Sequence, residues 1–178
     1  MAVMSDDTAV LSFLRTSFPQ VRGILDCSGR DLRDRARIVT ESTKAMAATV
    51  VLSQAQSDLA TVGYFQGRLK TVWTMLEDDA DVFDVQNAVS SGCYGLIGRD
   101  CTPVFEAYAL YGRAGGNKGA KSGLPGARYS LNIAHRGLPY SYAENTVEGA
   151  AAAVAAGATH IEIDALLSAD GEIVIMHD

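Results

Sequence analysis

LKTVWTMLEDDADVFDVQNAVSSGCYGLIG, residues 69–98, decides the fold. It opens with one apolar run, LKTVWTML (69–76), and closes with another, CYGLIG (93–98). Both are near-continuous, as strands covered on two faces read. Between them Val82, Val85 and Val89 mark one face of a helix that stops at Gly92. Glu77, Asp78 and Asp79 crowd the start of that helix, where the dipole favours negative charge. Strand, helix, strand at this spacing predicts a right-handed βαβ unit with parallel strands.

The same theme recurs upstream. VRGILDC (21–27) and ATVVLS (48–53) are further strands, and Ser57 or Asp58 begins the helix that precedes LKTVWTML. Thr102-Pro103 begins the helix after CYGLIG, with proline near the first turn, where its missing N–H costs nothing. Four such units make half of an eight-stranded barrel. The expected class is α/β, a partial TIM (β/α)8-type barrel built from parallel βα units.

Downstream, LNIAH (131–135) reads as another strand. Asn145 is a candidate N-cap with Glu148 three residues on, a capping-box arrangement, and the Ala-rich helix that follows ends at Gly157. ATHIEIDALLSADGEIVIMHD (158–178) holds two apolar runs joined by Asp170-Gly171. That dipeptide predicts a β-hairpin near the C-terminus with a two-residue turn. In that register Asp164 faces His177, and cross-strand partners lie about 4.5–5.5 Å apart. Glu162, two residues before Asp164, shares its face.

Composition narrows the function. The 178 residues carry a net charge of −6, which argues against a nucleic-acid binder, since such a protein needs a basic face. Gly149 to Ala158 is the longest uncharged small-apolar run, too short to span a bilayer. The start, MAVMSDDTAVLSFL, has acids where a signal peptide carries positive charge, which leaves the cytoplasm as the default compartment. Cys27, Cys93 and Cys101 form no CxxC, so they read as buried reduced thiols. Charge is uneven along the chain. Residues 112–130 hold four basic side chains, six glycines and no acid, and read as a flexible linker. Residues 131–178 hold one basic side chain, Arg136, against seven acids. The chain therefore divides into 1–111, a linker at 112–130, and 131–178.

Glu162 and Asp164 alternate with Ile161 and Ile163 in a strand that should bury at least one face. Burying two like charges is costly unless a cation or hydrogen bonds offset it. One arginine cannot neutralise seven acids, whereas a hard divalent ion, Mg²⁺ or Ca²⁺, takes oxygen ligands of this kind.

His135-Arg136-Gly137, Glu144-Asn145-Thr146, Gly157, Glu162-x-Asp164, Asp170-Gly171 and His177-Asp178 together resemble the glycerophosphodiester phosphodiesterase family in order and spacing. Ala143 stands where that family usually has proline, and Ser168 where threonine is common. Residues 1–111 resemble the last four βα units of such a barrel, so the chain resembles bacterial proteins with two tandem barrels. On that resemblance, 1–111 is the C-terminal half of one barrel and 131–178 the truncated N-terminal part of the next.

The resemblance implies hydrolysis of a glycerophosphodiester, a small-molecule substrate from lipid metabolism, to sn-glycerol 3-phosphate and an alcohol. It implies Glu162 and Asp164 as ligands of the divalent metal and Arg136 as the phosphate-binding residue. His135 and His177 would be general acid and base in an order left open. Glu144 and Asn145 would support the loop, with Asn145 as a plain helix cap the other reading. A third glutamate from a later strand usually completes the family's metal site. The fragment alone is therefore expected to be inactive, and a non-catalytic partial-barrel module is the alternative. A phosphoinositide-specific lipase relative is a third reading that the His135 and Glu144 motif spacing disfavours.

Overall fold

A computed structural model describes residues 1–107 and 131–178, so the linker expected at 112–130 lies outside the described residues. The chain divides into two compact units, residues 1–75 with 87–94, and residues 76–86 with 95–178.

The first unit holds four parallel strands in sequence order: β1 (Ala2–Ser5), β2 (Arg22–Asp26), β3 (Thr49–Ser53) and β4 (Thr71–Met75). Helices α1 (Thr8–Ser17), α2 (Arg35–Lys44) and α3 (Leu59–Gln66) connect them. Each starts at an aspartate whose carboxylate accepts a backbone N–H of the first turn: Asp7 from Ala9, Asp34 from Arg37, and Asp58 from Ala60 and Thr61. Sequential parallel order is the winding of a (β/α)8 barrel, in which every crossover helix returns along one face. The core on that face joins Leu25, Val50, Leu52 and Val72 from the strands to Leu11, Ile38, Val62 and Phe65 from the helices. Val50 and Leu52 are two residues apart and so point the same way.

β2, β3 and β4 fall inside the expected runs. β1 was not foreseen, and it removes VRGILDC from the sheet edge by pairing Ala2 through Ser5 with Arg22 through Leu25. As an edge strand of four residues it is only partly buried, so its apolar pattern is faint.

Helix α4 (Val82–Ser90) follows. Its start is held by Asp81, whose carboxylate accepts the N–H groups of Phe83 and Asp84, while Asp84 accepts the N–H of Asp81 in return. The acids expected at this helix start, Glu77, Asp78 and Asp79, lie upstream of the cap.

The second unit contains the parallel strands β5 (Gly95–Gly98), β6 (Leu131–His135) and β7 (His160–Glu162). CYGLIG and LNIAH thus share a ladder, Gly98 pairing with Ala134. A helix, α5, runs through 102–107, and α6 spans Val147–Ala155. Cys101, Ala134, Ala153 and Ala158 form a small buried cluster with Leu138 against it. All three cysteines are buried, and burial pushes the Cys27 thiol up to about 12.

The hairpin is present but one residue out of the expected register. β8 (Leu166–Leu167) and β9 (Ile173–Val174) pair Leu166 with Val174 and Leu167 with Ile173. Ser168 is the reason. Its N–H donates to the Glu172 carbonyl at 2.9 Å, and its hydroxyl accepts the Glu172 N–H at 3.0 Å. A three-residue loop, Ala169-Asp170-Gly171, results in place of a two-residue turn. Gly171 takes φ +88°, the left-handed position that three-residue hairpin loops need. The ladder stops at Val174, and residues 163–165 interrupt the strand between β7 and β8, so Asp164 does not face His177 across a ladder.

Candidate active site

The C-terminal end of β6 and its neighbour β7 place the first two groups. His135 pairs with Glu162 on adjacent parallel strands, so the two side chains share a face. His135 Nε2 lies 3.8 Å from Glu162 Oε2. Both side chains are mostly buried.

Arg136 then leaves the strand at φ +59°. Its backbone N–H points back at Glu162, donating to the main-chain oxygen at 3.0 Å and to Oε2 at 3.1 Å. The guanidinium is only 11% exposed. Nη1 donates to Glu144 at 3.1 Å, and Nε lies 3.1 Å from Asp164 Oδ2. That second contact is an ion pair without hydrogen-bond alignment, since Nε finds no hydrogen-bond acceptor.

Asn145 closes the loop, and its role differs from the cap expected of it. The N-cap of α6 is Thr146, whose hydroxyl accepts the Gly149 N–H. Asn145 instead sits at φ +59° and donates its N–H to the Arg136 carbonyl at 3.0 Å. Its side chain forms a reciprocal pair with Asp164: Nδ2 donates to Oδ2, and Oδ1 accepts the Asp164 N–H, both at 2.9 Å. A left-handed residue is the wrong shape for a cap, which needs extended backbone. Asparagine tolerates that conformation better than most residues. Asp164 is thus tethered although β7 ends at Glu162, two residues before it.

Gly137, at φ +90°, backs this turn onto α6. A Cβ there would meet the Gly149 carbonyl carbon at 2.9 Å, so only glycine lets the two backbones approach so closely.

The charges distort one another. Burial, and secondly the negative Asp164, push the Glu162 carboxyl up to about 7, against hydrogen bonding by the Arg136 N–H. Burial also lowers His135, helped by the positive Arg136 and Arg99. His135 is therefore neutral at pH 7. His177 is half exposed and hydrogen-bonded to Asp178, and its charge is felt at Glu162.

Sequence reasoning missed two participants. Arg99, just beyond β5, pairs with Asp78 at 2.9 Å, and both charges act on His135. The signal for Arg99 was its place one residue past a strand end, which is where barrel enzymes gather their chemistry.

Among the described residues no three His, Cys, Asp or Glu side chains form a ready metal cage. Glu162 and Asp164 nevertheless fit a hard cation. They are two oxygen donors whose mutual repulsion already raises one of them, and Mg²⁺ sites are commonly built on one or two carboxylates with water supplying the rest. Among the described residues no helix is long and apolar enough to cross a membrane.

No curated protein matches the chain. A family model does: that of the glycerophosphoryl diester phosphodiesterase family, over residues 135–178. The matched stretch runs from the histidine at the end of β6 through the turn at Arg136, the latch at Asn145 and the carboxylates at Glu162 and Asp164. In motif order and by that match alike, residues 135–178, about a quarter of the chain, are similar to the glycerophosphoryl diester phosphodiesterase family.

Proposed function

We propose that this site serves the metal-dependent hydrolysis of a glycerophosphodiester to sn-glycerol 3-phosphate and an alcohol. The observation that carries the reading is the His135–Glu162 rung with Asp164 latched beside it. A buried carboxylate pair and a neutral imidazole at one strand end suit phosphoryl-transfer chemistry.

Glu162 and Asp164 would hold Mg²⁺ or Ca²⁺, which when bound polarises a phosphoryl oxygen and eases ionisation of the attacking hydroxyl. His135 is neutral at pH 7 and its Nε2 makes no hydrogen bond to Glu162, so it is ready to take a proton. His177 stands as its complement, so that one imidazole removes the proton of the nucleophile and the other protonates the departing alkoxide. Arg136 orients the carboxylates through Glu144 and Asp164, and a bound phosphate would compete for the same guanidinium. Residues 1–111 are the closing half of one barrel in this reading, 112–130 a linker, and 131–178 the opening of a second.

A non-catalytic, anion- or metal-binding module is the second reading. It is favoured by the two-carboxylate site and by an arginine already occupied by the chain's own acids. One assay separates them: release of glycerol 3-phosphate from glycerophosphocholine by the 178-residue chain, with Mg²⁺ or Ca²⁺. Release that EDTA abolishes and that Glu162→Gln removes supports the enzyme, at whatever rate. Metal binding with no release supports the module, and EDTA-resistant release refutes the metal-dependent reading.

A further inference from the structure

We infer that Arg99 is a second anion-binding residue of this site, delivered from β5, and that it takes a non-bridging oxygen of the phosphodiester by exchanging it for Asp78. The inference rests on the phosphodiester reading given above.

The ladder supplies the geometry. Gly98 pairs with Ala134, and His135 pairs with Glu162. Arg99 is one residue past Gly98, so Arg99, His135 and Glu162 stand in one row across three neighbouring strand ends. Residues in one row of a parallel sheet face the same way, so Arg99 leaves its strand on the face that carries the imidazole and the carboxylate. The effect of its charge on His135 agrees with that placement.

Charge availability separates the two arginines. Arg136 is 11% exposed and stands between two carboxylates. Arg99 is 36% exposed and its pair is with Asp78, itself 58% exposed. Exposed pairs of this kind are weakly held. An arginine fork matches phosphate oxygens as well as it matches a carboxylate, so exchange needs little reorganisation. Asp78 thus holds Arg99 in place in the absence of substrate, and the Tyr140 hydroxyl, donating to the Asp78 carbonyl at 3.3 Å, ties that loop to the turn after β6. Arg99 lies outside the family match at 135–178, so the upstream part of the chain would complete a site whose motifs lie downstream.

The test is a titration of the 178-residue chain, without divalent ions, by glycerophosphocholine and separately by inorganic phosphate, followed by NMR. Arg99→Gln should weaken glycerophosphocholine binding by about tenfold or more, the loss expected for a charge-assisted hydrogen bond. Asp78→Asn should tighten it several-fold by releasing the guanidinium, a gain that a merely structural pair cannot produce. Unchanged affinity in Arg99→Gln overturns the inference and leaves the phosphodiesterase reading standing. No binding by the unsubstituted chain overturns it as well, as does a response confined to inorganic phosphate. Binding that depends on Arg99, in a chain that never hydrolyses the diester, upholds the inference and removes only the catalytic reading.

Discussion

Glu162→Gln should make the metal-free protein more stable, and only above mildly acidic pH. The wild-type carboxyl moves from an ordinary 4.5 to about 7 on folding, chiefly through burial and then through Asp164. A raised carboxyl binds its proton more tightly in the folded chain, so its contribution is fully present below pH 4.5 and is lost as pH rises through about 7. Integrating the linkage relation gives a loss of about 1 kcal/mol by pH 5, about 2 by pH 6 and about 3 by pH 7.5. Glutamine cannot ionise, and its amide oxygen still accepts the Arg136 N–H. The variant should therefore match wild type at pH 4.5 and exceed it by about 3 kcal/mol at pH 7.5. Urea unfolding at both pH values in EDTA measures this directly. Adding Mg²⁺ or Ca²⁺ at pH 7.5 should narrow the gap by stabilising wild type alone. A stability difference that is flat across pH, or of opposite sign, would refute the account of Glu162 as a buried carboxyl strained by its neighbour.

Three further outcomes are expected. Asn145→Ala removes both hydrogen bonds to Asp164 and should cost about 2 kcal/mol in urea unfolding, while Asn145→Asp should cost more by setting a second carboxylate against Asp164. Gly137→Ala forces a Cβ into the backbone of Gly149 at a left-handed φ and should cost about 3 kcal/mol, read as a fall in Tm. In any chain that hydrolyses glycerophosphocholine, His135→Ala or His177→Ala should lower turnover by roughly 10²–10⁴, the usual worth of a general acid or base. Wild-type turnover after either change would remove both histidines from the mechanism.

The strands of the βα repeat were legible because each is a compact apolar run with a turn behind it, and burial on two faces leaves little room for polar interruption. β1 escaped because an edge strand of four residues carries no such run. The local devices were harder to read. Asn145 followed by Glu148 has the lettering of a capping box, yet Thr146 takes the cap because Asn145 is recruited by Asp164, nineteen residues away. No local pattern encodes that partnership. The hairpin register failed for a similar reason: Asp170-Gly171 does make the turn, but the Ser168 hydroxyl captures Glu172 and adds a residue to the loop. Of the charged groups, Asp164 was expected opposite His177 and instead meets Arg136 and Asn145, while His135 comes beside Glu162 through a parallel ladder whose register no local pattern spells out.

The small buried cluster under α6 has a mechanical side. Ala153 and Ala134 are fully buried in one cluster with Cys101 and Ala158, so the side chains that fill it are short, and Leu138 packs at its margin. A close-packed cluster of side chains this short has little slack to take up an added group. Thr146 caps the same helix and Asn145 precedes it, so the seating of α6 on that cluster bears on how far Asn145 reaches towards Asp164. A single added methylene at 153 would overfill the cluster, and a shift of α6 that made room for it would be felt as far away as the Asp164 carboxylate.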